Sequence, residues 1–112
     1  MTNVVIKKTR HGEYLGFTCL GHAGHAQAAN TDRDVVCAAI SVLVINTLNA
    51  LDTLTEVKMQ VTSDEKEGLI TCQFEDSLDK QAKVLMDAMV LGLKSISKEY
   101  GTRFCKLNFE EV

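Results

Sequence analysis

The chain predicts an α+β fold of order ββαββαβ, an antiparallel or mixed five-stranded sheet with two helices packed on one side. Three observations lead there. Five short segments alternate apolar and polar residues at period two, as strands with one buried face do. Two long intervening segments carry apolar residues at helical spacing. Half-polar strands fit antiparallel or mixed sheets, because a doubly wound parallel sheet needs strands that are apolar on both faces. At 112 residues, 1–112 reads as a single domain.

Val4, Val5 and Ile6 open a first strand over residues 4–8. Arg10-His11-Gly12-Glu13 is a turn. Residues 14–20 make a second strand, with Leu15, Phe17 and Cys19 on one face, and the pair forms a hairpin. Residues 21–33 have no periodicity and many small side chains. Loops of that length in a small domain are often functional. Thr31 or Asp34 can cap the first helix, which runs to about Leu54. That helix is apolar almost all round, which implies burial on more than one side, as a central core helix or a dimer contact. Val57, Met59 and Val61 face inward from a third strand. Ile70, Cys72 and Phe74 do so from a fourth, across the polar turn 64–68. Ser77 is the expected cap of a second helix reaching Tyr100, with an apolar stripe of Leu78, Ala82, Leu85, Met89 and Ile96. Gly101 is placed to end it. Residues 104–109 form the fifth strand, with Cys105, Leu107 and Phe109 on one face.

Hydrophobic residues make up 46% of the chain and charged ones 24%, both ordinary for a globular protein. The net charge of −3 and the absence of a basic cluster beyond Lys7-Lys8 argue against direct nucleic-acid binding. No charged region followed by an apolar core opens the chain, so no signal peptide is expected. The longest apolar run, 42–45, is interrupted by Ser41 and Asn46, and reads as too short to span a membrane. Cys19, Cys37, Cys72 and Cys105 form no CxxC pair. They are expected to be reduced thiols in a cytoplasmic protein, and Cys19, Cys72 and Cys105 read as core.

Cys37 and His22 are the residues that can carry chemistry. With Asp34 as cap, Cys37 is near the third helical residue, where free N–H groups and the helix dipole favour a thiolate. Asp34 lies one turn before it and Ser41 one turn after, on the same face. A buried core thiol is the alternative. His22 follows Gly21, a residue that permits backbone geometry others resist. A neutral imidazole there can take a thiol proton and return it to a leaving amine. An exposed loop histidine is the alternative. His22 and His25 have HxxH spacing, and with Cys37 or Asp32 they are the ligands of a metal-binding alternative. No second pair supports it, so no metal and no other cofactor is expected.

Gly21-His22-Ala23-Gly24, followed by Asp34-Val35-Val36-Cys37-Ala38-Ala39-x-Ser41, resembles the ribosomal-processing cysteine protease (Prp) family. The resemblance covers most of the chain, in length and in element order. It implies a cytoplasmic, homodimeric, metal-independent cysteine endopeptidase. Its substrate would be a large-subunit ribosomal protein, from which it removes a short N-terminal extension, cutting next to aromatic residues. It implies that His22 is the base and Cys37 the nucleophile, with Gly21, Asp34 and Ser41 in support. The family's loop between histidine and cysteine is usually shorter, with glycine where Asp32 stands here. Ala23, Gly24, Asp32 and Arg33 then belong to a substrate loop expected to close as a lid. Oxyanion donors are expected among the N–H groups that start the Cys37 helix. A ribosome-associated binding or assembly factor that does not cut is the competing reading, and the longer loop favours it.

Overall fold

Alternation of apolar and polar residues places one face of each strand inward, and the computed structural model shows where those faces meet. It describes residues 1–21 and 31–112, with side chains of the first helix from residue 35 onward. The elements are β1 (Thr2–Lys8), β2 (Tyr14–Leu20), α1 (Thr31–Leu54), β3 (Met59–Asp64), β4 (Leu69–Phe74), α2 (Lys80–Tyr100) and β5 (Cys105–Glu111). The order is the expected ββαββαβ. The sheet runs β3-β4-β2-β1-β5. Only the β1–β5 pair is parallel; the other three are antiparallel. The sheet is therefore mixed.

Register explains the core. Val4 lies opposite Cys19 and Leu107, Cys19 opposite Ile70, and Phe17 opposite Ile6 and Cys72. Directly paired residues share a face, so these side chains form one apolar surface. Val36, Ile40, Val44 and Leu51 of α1 cover it, with Ala82, Met86, Met89 and Leu93 of α2.

Several elements depart from expectation for local reasons. Lys7 pairs with Gly16 but Lys8 pairs with Tyr14, so Leu15 is an extra residue in β2. This bulge turns Tyr14 into the core and leaves Leu15 half-buried, the reverse of simple alternation. Gly16 is needed there: a Cβ would collide with the carbonyl oxygen of Cys72 on β4. Helix α2 is capped by Asp79 rather than Ser77, its carboxylate accepting from the Ala82 N–H at 2.9 Å. Gly101 ends α2 as expected, at φ 91° with its N–H on the Ser97 carbonyl at 2.8 Å. On the edge strand β3, Val61 is exposed, and Phe109 near the end of β5 is exposed too.

Helix α1 departs most. It is buried on one side only: Val35, Val42, Ile45 and Leu54 are exposed. Its stretch Val35–Leu54 is long and apolar enough to cross a membrane by length and composition, so the expectation of too short a run is corrected. Ser41 and Asn46 do not interrupt it because both are tolerated inside a helix. Its inward face belongs to the core of the domain.

The Tyr14 hydroxyl donates to the Asp87 carboxylate at 2.6 Å and ties β2 to α2. Burial and this carboxylate push the Tyr14 phenol well above its usual range. Burial also pushes the Cys19 and Cys72 thiols from 9.0 up to about 12. Both stay protonated in the folded chain and ionise more readily once it unfolds. Stability from these groups is therefore fully present below pH 9 and is lost as pH rises toward 12. Denaturant midpoints should fall across that window. Cys19→Ala/Cys72→Ala should flatten the fall, although it lowers the midpoint at neutral pH.

Candidate active site

The site forms where β1 begins and β2 ends. Asn3 pairs with Leu20, so the next residue of each strand, Thr2 and Gly21, come together past the end of the ladder. Thr2 is fully buried, aligned with Cys105 of β5, and its N–H donates to the Phe104 carbonyl at 3.0 Å. Gly21 has φ 90°, a left-handed conformation that side chains resist. A Cβ on it would stand 2.5 Å from the Met1 carbonyl oxygen. Its own N–H donates to the Gly68 carbonyl at 2.8 Å. Gly21 is thus fixed from both sides.

Cys37 faces this corner from α1. It is buried beside Val36, at 6% exposure. Its Sγ lies 3.7 Å from the Thr2 Oγ1, and that hydroxyl donates to the Gly21 carbonyl at 3.3 Å. One side chain therefore connects the thiol to the residue that precedes His22. His22, Ala23, Gly24 and His25 lie outside the described residues, as do the side chains of Asp32, Arg33 and Asp34. Ser41, one turn beyond Cys37, is half-buried.

Two expectations about Cys37 need correction. Helix α1 starts at Thr31, which makes Cys37 its seventh residue and Asp34 its fourth. No glycine or proline between 31 and 36 stops the helix from extending backward past Asp34. Asp34 is therefore inside the helix and not its cap. The unpaired N–H groups belong to the first four residues, and the dipole acts mainly over the first turn. Cys37 therefore lies one turn further into the helix than the expected third position.

The other thiols behave as core. Cys19, Cys72 and Cys105 are all buried and free, and burial is the main cause raising each thiol's pKa. Cys19 is raised further by the nearby Cys105 and Cys37, which puts three thiols in one neighbourhood. Among the described residues no group of three His, Cys, Asp or Glu side chains could hold a metal. Thr2 escaped the sequence analysis, which began β1 at Val4. Its signal was there: Thr2, Val4 and Ile6 alternate, which puts a hydroxyl on the inward face.

Residues 1–104 match the family model described as "Cysteine protease Prp". The "Ribosomal processing cysteine protease Prp" of Bacillus subtilis (strain 168) is 27% identical over 104 residues, covering 89% of this chain and 90% of its own length. The protein of that name from Staphylococcus aureus (strain Mu50) is 26% identical over 110 residues, covering 98% of this chain and all of its own. A crystal structure of S. aureus Prp "in complex with a covalently linked product Peptide" superposes with a TM-score of 0.85 at 25% identity, over 98% of this chain and 100% of that one. A second, with a substrate peptide, has a TM-score of 0.87 at 24% identity and equal coverage, and supports the fold.

The Gly21 corner has a measurable consequence. Gly21→Ala should lower stability by about 1–3 kcal/mol, from the left-handed backbone and the clash with Met1. Equilibrium denaturation checks this; a variant as stable as the parent would show that the corner is not constrained.

Proposed function

Because the chain belongs to the Prp family of cysteine proteases, we propose that it removes the N-terminal extension of a large-subunit ribosomal protein, cutting beside an aromatic residue, with Cys37 and His22 as its catalytic pair. The observation that carries this reading is the Cys37 thiol at the corner where β2 ends, linked through Thr2 to Gly21, immediately before His22. Of the four cysteines, Cys37 alone belongs to a helix, and the other three are strand residues of the core. The covalently linked product peptide of S. aureus Prp supports a covalent route.

In this mechanism His22 takes the Cys37 proton and the thiolate attacks the scissile carbonyl. His22 then protonates the leaving amine, which departs with the mature protein. The N-terminal extension stays on Cys37 as a thioester until water, activated by His22, releases it. Gly21 fixes the chain direction into His22, and Ser41 supports the helix face that carries Cys37. Residues Ala23, Gly24, Asp32 and Arg33 contribute to the substrate loop. No metal or other cofactor takes part, and the reduced thiols suit a cytoplasmic enzyme.

The same reading includes a homodimer. Val42, Ile45 and Leu54 of α1 and Leu91 of α2 are large apolar side chains left exposed on the helical layer. A second copy would cover them.

Cys37→Ala and His22→Ala should each reduce cleavage of a peptide spanning the extension by roughly three orders of magnitude or more, with the domain still folded. Product is followed by chromatography and folding by circular dichroism. Cleavage retained in either variant overturns the dyad. Peptide binding without any product from the parent protein would favour the non-cutting assembly factor.

A further inference from the structure

We propose that Thr2 is a positioning residue for the Cys37 nucleophile, its hydroxyl bridging the thiol and the Gly21 carbonyl at rest and turning to the sulfur when the thiolate forms. The proposal rests on Cys37 being the nucleophile, as argued above.

The side chain has no other evident purpose. Thr2 is fully buried, and β1 uses its backbone to pair with β5. Valine has the same shape and a higher affinity for an apolar core, so a hydroxyl kept here must be satisfied by partners. It has two: the Gly21 carbonyl at 3.3 Å and the Cys37 sulfur at 3.7 Å. A hydroxyl carries one hydrogen. The Gly21 carbonyl can only accept, so Thr2 donates to it and receives the Cys37 S–H.

The distances then decide what happens on ionisation. At 3.3 Å the bond to Gly21 is longer than a usual O–H···O contact, and it is easily given up. Once Cys37 loses its proton, its sulfur can only accept. Hydrogen bonds to a charged acceptor are roughly twice as strong as neutral ones. Rotation about the Thr2 C–O bond moves the hydrogen from the carbonyl to the sulfur, and no proton changes owner. The thiolate gains a donor in a buried corner shared with Cys19 and Cys105. Besides the Met1 amino group, one residue before Thr2, the titratable groups placed near this corner are Cys19 of β2 and Cys105 of β5. Burial holds both as neutral thiols, so neither competes for the hydrogen near neutral pH. His22 and Asp34, titratable neighbours by sequence, are kept unchanged in every variant compared.

The test compares Thr2→Val, which keeps the shape and removes the hydroxyl, with Thr2→Ser, which does the reverse. Two readouts are taken on the full chain: steady-state cleavage of the extension peptide, and the pH dependence of iodoacetamide alkylation at Cys37, mapped by mass spectrometry. Thr2→Val should lower kcat about tenfold with KM little changed and move the alkylation midpoint up by about one pH unit, the size of one hydrogen bond to a charged group. Thr2→Ser should restore both. Parental values in Thr2→Val, or a Thr2→Ser variant as impaired as Thr2→Val, would overturn the proposal. Should Thr2→Val fail to fold, Thr2→Ser against Thr2→Ala makes the same comparison. Alkylation needs no peptidase activity. A shifted midpoint in a chain that cuts nothing would therefore refute the protease reading and leave the role of Thr2 standing.

Discussion

The close approach of Gly21 to the first residues of β1 is the constraint on which the site depends. The Met1 carbonyl occupies the space that a side chain on Gly21 would need. Gly21 therefore sits tightly over the start of β1 at a positive φ, and its carbonyl comes within reach of the Thr2 hydroxyl. Cys37 approaches the same hydroxyl from α1. A β-strand end, a strand start and a helix face thus converge on one buried oxygen. Any side chain at 21 would widen the gap and shift the direction in which the chain leaves for His22.

The sheet holds this corner in register. Thr2 is paired with Cys105 on one side, and Gly21 is bonded to Gly68 just before β4 on the other. The corner is therefore held by β5, by the turn before β4 and by α1. That arrangement suits a nucleophile, since catalytic groups act best when rigid elements position them. Cys19, Cys72 and Cys105 point into the same core from strands, and burial holds them neutral.

Much of the fold was legible in the sequence because period-two and helical patterns report burial directly. Ile70, Cys72 and Phe74 alternate inward as read, and Gly101 ends α2. Features set by tertiary pairing were not legible. The bulge that buries Tyr14 and leaves Leu15 half-buried is a property of the β1–β2 register. The one-sided burial of α1 follows from a two-layer architecture, in which the described residues form no second sheet over Val42 or Leu54. Cys37 and Gly21 were singled out from residue type and motif, and the structure brings both to the Thr2 hydroxyl. The backward extension of α1 and the part of Thr2 were missed, because neither changes hydrophobic periodicity. The position of the His22 ring relative to Cys37 lies outside the described residues.

The central claim is that Cys37, alone among four thiols, is the nucleophile and depends on His22. A chloromethyl ketone built on the residues preceding the cut tests it most directly, followed by intact-mass and peptide-mapping measurements. One adduct per chain is expected, on Cys37, formed quickly in the parent and at least a hundredfold more slowly in His22→Ala, roughly the share assigned to general-base help. An adduct on Cys19, Cys72 or Cys105, or labelling of Cys37 at an unchanged rate without His22, would contradict it.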